Sequence, residues 1–184
     1  MKSVQSKQAG FTLVETMVTL VLTGLSLAAG LPALKGAVDS FRLTAVANGY
    51  FSNLMLTRSE AITRNSRAVL CKSVDGNSCT TSGGWEQGWL VFHDANNNAR
   101  RDAGEALLQS QEALSGGIRL KGNQPLASYV SYTSEGTTSY ASGAFQAGTF
   151  TLCHPSAGKT EARQIIIASS GRPRVQKVTI NSCV

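Results

Sequence analysis

The chain has 184 residues, of which 42% are hydrophobic and 15% charged, too apolar for a disordered segment. Its net charge is +6, and its two histidines stand in no triad, Gly-x-Ser-x-Gly or phosphate-loop context. Composition therefore argues for a folded, non-enzymatic chain that needs no cofactor.

In chain order the first feature is a short basic leader. Lys2 and Lys7 precede Gly10-Phe11-Thr12-Leu13-Val14-Glu15, with no acid before Glu15, and these charges hold the N-terminus on the cytoplasmic side. An ordinary secretory signal has its apolar core ahead of the cut. Here an apolar run of 24 residues, Phe11 to Leu34, lies behind Gly10. As a helix it would be about 36 Å long, against roughly 30 Å for a bilayer's hydrocarbon core. Thr12, Thr16, Thr19, Thr23 and Ser26 can return their hydroxyls to helix carbonyls. Glu15 is costly at about 2.5–3.5 kcal/mol in mid-membrane, so it either finds a partner or sits at interface depth. Pro32, flanked by Gly30 and Gly36, is expected to bend the helix.

The Gly10–Glu15 pattern resembles the class III leader of type IV pilins and type II secretion pseudopilins. The resemblance implies that a prepilin peptidase cuts between Gly10 and Phe11, removing residues 1–10, and that the new Phe11 amine is methylated. It also implies that Glu15 pairs with the N-terminal amine of a neighbouring subunit during assembly. The mature chain would be a single-pass inner-membrane protein through 11–34, with its C-terminal domain in the periplasm and later in a surface fibre.

Beyond Pro32 the apolar residues Val38, Phe41, Ala45, Tyr50 or Phe51, Leu54, Met55 and Ile62 recur at helical spacing, predicting an amphipathic helix over 35–65. The period then changes. Arg67–Cys71, Trp89–His93, Ala106–Gln109, Ile118–Lys121, Tyr129–Thr133, Gly148–Cys153, Arg163–Ala168 and Arg174–Ile180 read as strands separated by Gly/Ser/Asn clusters. A long helix followed by an antiparallel sheet domain over 66–184 is an α+β arrangement, and the resemblance implies that it is a type IV pilin-like fold. Cys71, Cys79, Cys153 and Cys183 would all be exported. An even count there favours disulfides; of three connectivities the sequence-local pairs Cys71–Cys79 and Cys153–Cys183 are preferred.

Arg58-Ser59-Glu60-Ala61, the segment Trp85–Phe92 and the loop Asp94–Glu105 narrow the resemblance to the GspH/FimT family of minor pilins and H-type pseudopilins. Trp85, Trp89 and Phe92 read as sheet-packing aromatics. The loop sets Asp94, Asn96, Asn98, Asp102 and Glu105 at the spacing of a calcium loop. Against that reading, Ala99 replaces its glycine, Arg100 and Arg101 sit beside it, and Asp and Asn also make ordinary turns.

The C-terminal end is basic. From Cys153 onward Lys159, Arg163, Arg172, Arg174 and Lys177 face only Glu161, which suggests a polyanionic partner or a solvated cationic face. Gly171-Arg172-Pro173-Arg174 would present two guanidinium forks on a stiff turn. It is similar to the Gly-Arg-x-Arg motif that the FimT branch is associated with in DNA binding during natural transformation. The resemblance thus implies a DNA site at Gly171, Arg172 and Arg174, extended by Arg163 and Lys177, and other pilins as fibre partners. The exported domain is expected to be monomeric on its own. The competing readings are an H-type pseudopilin, or a minor pilin that primes pilus assembly, neither of which binds DNA. The plainer alternative for the turn itself is an exposed loop whose arginines pair with Glu161 or Glu135.

Overall fold

The computed structural model describes residues 10–183, apart from the side chains of 29–33. Lys2 and Lys7 of the leader, and the expected bend at Pro32, lie outside the described residues. The chain forms two compact units, Met1–Phe41 and Arg42–Val184, and one helix, α1 (Leu13–Thr63), runs through both.

In the first unit Thr12 caps the start of α1. The Glu15 amide donates to Thr12 Oγ1 at 3.2 Å, satisfying one of the free donors of the first turn. As the sequence suggests, Thr16, Thr19, Thr23 and Ser26 donate their hydroxyls to the carbonyls of Leu13, Thr16, Thr19 and Leu22. Phe11, Leu13, Leu20 and Leu25 are exposed, Phe11 to 81%. Among the described residues no helix is long and apolar enough to cross a membrane. Residues 29–33, inside the expected span, are among those whose side chains are not described.

In the second unit the buried face of α1 is Leu43, Ala47, Tyr50, Leu54, Thr57 and Ala61, at alternating spacings of four and three. It shares Tyr50 and Leu54 with the expected face and differs elsewhere. Met55 and Ile62 stay exposed, because apolar residues occupy two adjacent stripes and the sheets cover only one. The helix stops where Asn65 turns left-handed (φ 50°). The Ser66 amide then bonds the Ala61 carbonyl and the Asn65 amide that of Ile62, a Schellman closure.

Eight strands follow: β1 (Arg67–Lys72), β2 (Trp89–Asp94), β3 (Leu107–Gln111), β4 (Arg119–Gly122), β5 (Tyr129–Tyr132), β6 (Gly148–Cys153), β7 (Thr160–Ile167) and β8 (Pro173–Ile180). Each overlaps an expected strand. They form two antiparallel sheets, ordered β3-β2-β1-β5 and β4-β6-β7-β8. The division arises because β4 passes over the nearer β3 and β5 to pair with β6, matching Leu120 with Leu152. Both sheets contribute to one core with the helix stripe. At its centre Tyr50 meets Trp85, Trp89 and Phe150 edge to face, with centroids 5.6, 4.9 and 4.8 Å away. Trp85 and Trp89 thus pack as the sequence suggests, and Trp85 Nε1 donates to the Leu126 carbonyl at 2.9 Å. Phe92 belongs to a second cluster with Val69 and Leu90. The disulfides are Cys71–Cys79 and Cys153–Cys183, the sequence-local pairs.

Candidate nucleic-acid interface

The turn between β7 and β8 is closed by the Gly171 amide, which donates to the Ala168 carbonyl at 2.9 Å. Gly171 is buried with φ +73°, a conformation that L side chains rarely adopt. There is also no room for one. A Cβ there would lie 2.1 Å from the Gly136 carbonyl oxygen. That oxygen accepts from Arg58 Nε of α1 at 2.9 Å, and the Gly136 amide bonds the Thr133 carbonyl at 2.8 Å. The end of α1, the 133–137 turn and Gly171 are therefore stacked in order, and this stack fixes the base from which Arg172 and Arg174 extend. Arg172 and Arg174 are both exposed. Among the described residues neither takes part in an ion pair.

The two acids expected as rival partners are occupied elsewhere. Glu135 accepts from the Ser134 hydroxyl at 3.0 Å, and the Thr133 hydroxyl, followed by its own backbone amide, holds its pKa below the usual carboxylate value. Glu161 takes Arg163 Nη1 at 2.7 Å and also Lys177 Nζ.

Strand parity splits the five basic-site residues. Arg163, 7% exposed, lies on the helix-facing side of the second sheet, where its guanidinium also bonds Thr44 Oγ1 of α1 at 3.0 Å. Lys177 is its cross-strand partner on the same side. Arg174, three residues from Lys177, stands opposite Ile166 on the outer side. The structure thus groups Gly171, Arg172 and Arg174 and leaves Arg163 and Lys177 out. It adds two cations outside the motif, Arg119 and Lys121 on β4. Both are exposed and flank the buried Leu120, so they share the outer face with Arg174. The Arg-Leu-Lys alternation was the signal that could have found them.

The loop Asp94–Glu105 closes on its own donors. Asp94 accepts from the Asn98 and Ala99 amides, Asp102 from the side-chain amides of Asn96 and Asn98, and Glu105 from the Ala95 and Asp102 amides. Burial raises the Asp94 pKa against those amides, whereas the Asn96 bond, ahead of the Asn98 bond, lowers that of Asp102. Among the described residues no group of three or more His, Cys, Asp or Glu side chains is placed to hold a metal ion. Arg101 Nη1 ties the loop to the Asn77 carbonyl at 2.6 Å. A groove of about 710 Å³ between this loop and the Cys71–Cys79 loop is lined by Thr80, Asn98, Arg100 and Tyr129 among others.

Replacing Gly171 with Ala should strain the turn and force it off Gly136, at a cost of about 1–3 kcal/mol. Thermal unfolding of the variant checks this. An unchanged midpoint would mean that the turn is not clamped as described.

Residues 46–171 match the family described as Type II transport protein GspH, and residues 5–31 match the prokaryotic N-terminal methylation motif. The first match covers well over half of the chain. The chain belongs to the GspH/FimT family of minor pilins and pseudopilins. Members carrying that N-terminal motif are processed substrates and associate with other pilins or pseudopilins in a fibre. The GspH match ends at Gly171, so Arg172 and Arg174 lie beyond it. Among solved structures, the type IV minor pilin FimU of Pseudomonas aeruginosa is similar at 17% identity and a TM-score of 0.56, over 79% of this chain and 98% of that one. The minor pseudopilin EpsH of the Vibrio cholerae type 2 secretion system is similar at 13% identity and a TM-score of 0.51, over 73% and 96%. Both likenesses establish the shared pilin fold. No curated protein sequence matches the chain.

Proposed function

We propose that this chain is a minor type IV pilin that binds extracellular DNA through Arg172 and Arg174 for uptake during natural transformation. The observation that carries the reading is the clamped turn at Gly171, which presents two arginines on a fixed base while nearby acids are bonded to other groups. Guanidinium forks match phosphate oxygens, so the contact is to the backbone and indifferent to sequence. The affinity expected of such binding is about 10⁻⁴–10⁻⁶ M at physiological salt.

The N-terminal part serves delivery. A prepilin peptidase cuts between Gly10 and Phe11 and methylates the Phe11 amine. The exposed side chains from Phe11 to Leu27 are first covered by the inner membrane as a single-pass anchor and then by neighbouring pilins. Glu15 pairs with a neighbour's N-terminal amine. The second reading is an H-type pseudopilin without DNA binding, favoured by the description of the matched family as a type II transport protein. It requires Glu15 and the helix but gives Arg172 and Arg174 no task.

The test is DNA binding by the full chain in non-ionic detergent, wild type against Arg172→Ala/Arg174→Ala. Each lost phosphate contact forgoes the release of about 0.9 counterion. At about 0.1 M salt that is nearly tenfold in affinity, so the double variant should bind roughly 50-fold more weakly. Equal binding by the two proteins, with unchanged circular dichroism, would leave the pseudopilin reading.

A further inference from the structure

The second sheet has two chemically different faces. Its inner face buries Leu120, Phe150, Leu152, Ile165 and Ile167, and its cations there, Arg163 and Lys177, share Glu161. On the outer face the register aligns Lys121, Thr151, Gln164 and Gln176 in one row across all four strands. Gln176 Nε2 donates to Gln164 Oε1 at 3.0 Å, joining the β7 and β8 members of that row. Arg174 stands one row away at the β8 edge, and Arg119 one row away at the β4 edge. No Asp or Glu occupies an outward position on these four strands among the described residues.

Three strand spacings separate the two edges, about 14 Å at roughly 4.8 Å each. That is close to the roughly 12 Å width of a DNA major groove, so cations at the two edges can meet phosphates on both strands. The surface between them is recessed. A groove of about 390 Å³ is lined by Lys121, Thr151 and Gln164, and a second of about 510 Å³ adjoins it at Arg119, Lys121 and Gly122. Thr and Gln side chains on its floor can donate to phosphate oxygens without adding like charge. Arg119 bonds Glu86 through Nη1 at 3.0 Å, which leaves its remaining N–H donors for a second acceptor.

From this geometry we infer that the outer face of the β4-β6-β7-β8 sheet is the DNA track, running from the Gly171–Arg174 turn across the Thr151 row to Lys121 and Arg119. The inference rests on the DNA-binding reading above and enlarges its site from one turn to a sheet face. On this view the turn and β4 hold the two sides of a duplex, and the single polar row from Lys121 to Gln176 lies under its groove, beside the apolar outward positions Cys153, Ala162 and Val178.

The test compares full-length variants in non-ionic detergent for binding to a short mixed-sequence duplex, each first shown to unfold cooperatively like the wild type. Lys121→Ala removes a cation from the far edge and should weaken binding roughly tenfold at about 0.1 M salt. Thr151→Glu places an acid in the middle of the track and should weaken it at least as much. Thr179→Glu, on the inner side of β8, should leave binding near wild type. Wild-type affinity in Lys121→Ala and Thr151→Glu, with binding still lost in Arg172→Ala/Arg174→Ala, would overturn the track and keep the turn. Equal losses in Thr151→Glu and Thr179→Glu would overturn it as well, because only net charge would then matter. No wild-type binding at low salt would overturn both the track and the reading beneath it.

Discussion

Replacing Tyr50 with alanine should destabilise the folded domain by about 3–5 kcal/mol, because it removes a fully buried ring from the meeting point of helix and sheets. Trp85, Trp89 and Phe150 all lose their edge-to-face partner at once. The cavity would open between elements that cannot collapse together without shifting the helix on both sheets. Tyr50→Phe should behave oppositely. Among the described residues the buried Tyr50 hydroxyl has no hydrogen-bond partner, and burial, ahead of the neighbouring Tyr132, raises its pKa well above the ordinary value. An unsatisfied buried hydroxyl costs about 1–3 kcal/mol, so removing it should leave stability unchanged or slightly improved. Denaturant titrations of the two variants measure the difference. A loss of more than about 2 kcal/mol in Tyr50→Phe would show that the hydroxyl is bonded after all.

The second large effect concerns the C-terminus. Cys153 and Cys183 are 30 residues apart, whereas Cys71 and Cys79 are separated by 8. Loop-closure entropy then assigns about 3.6 kcal/mol to the first bond and about 2.5 kcal/mol to the second. Cys153→Ser/Cys183→Ser should therefore lower the unfolding free energy more than Cys71→Ser/Cys79→Ser. The bond joins the end of β6 to the segment after β8, reinforced by the Ser156–Cys183 backbone bridge. It does not hold the Gly171 turn, whose anchors are Gly136 and Arg58. Below its lowered melting temperature the serine variant should thus keep the DNA contacts of the turn, although Cys153 and Cys183 also line the outer-face groove beside Lys121. Denaturant midpoints under oxidising conditions check the first statement, and DNA titration below the transition checks the second.

Much of this architecture is legible in the sequence because it is written locally. Period-two alternation between Gly/Ser/Asn clusters placed all eight strands, and Asn65 followed by Ser66 marks the helix end. The buried helix face was legible only in part, at Tyr50 and Leu54. Met55 and Ile62 are as apolar as Leu43, and only the position of the sheets decides which stripe is covered. The two-sheet division was hidden for a similar reason, since β4 finds its partner in β6 rather than in a sequence neighbour. For the site, Gly171-Arg172-Pro173-Arg174 was visible as a motif, but the clamp on Gly136 joins residues 35 apart and left no local trace. The separation of Arg174 from Lys177 could have been read, because an odd spacing on one strand sends side chains to opposite faces. Arg163 was misplaced by adjacency in sequence. Its role as a buried link to Thr44 depends on the helix lying across β7.

The most direct test of the central claim is the salt dependence of duplex binding by the full chain in non-ionic detergent, measured in parallel on wild type and Arg172→Ala/Arg174→Ala. Two phosphate contacts at the turn should steepen the wild-type plot of log affinity against log salt by about 2 relative to the variant. Parallel plots of equal affinity would contradict the assignment and leave the arginines as solvated surface on a structural minor pilin.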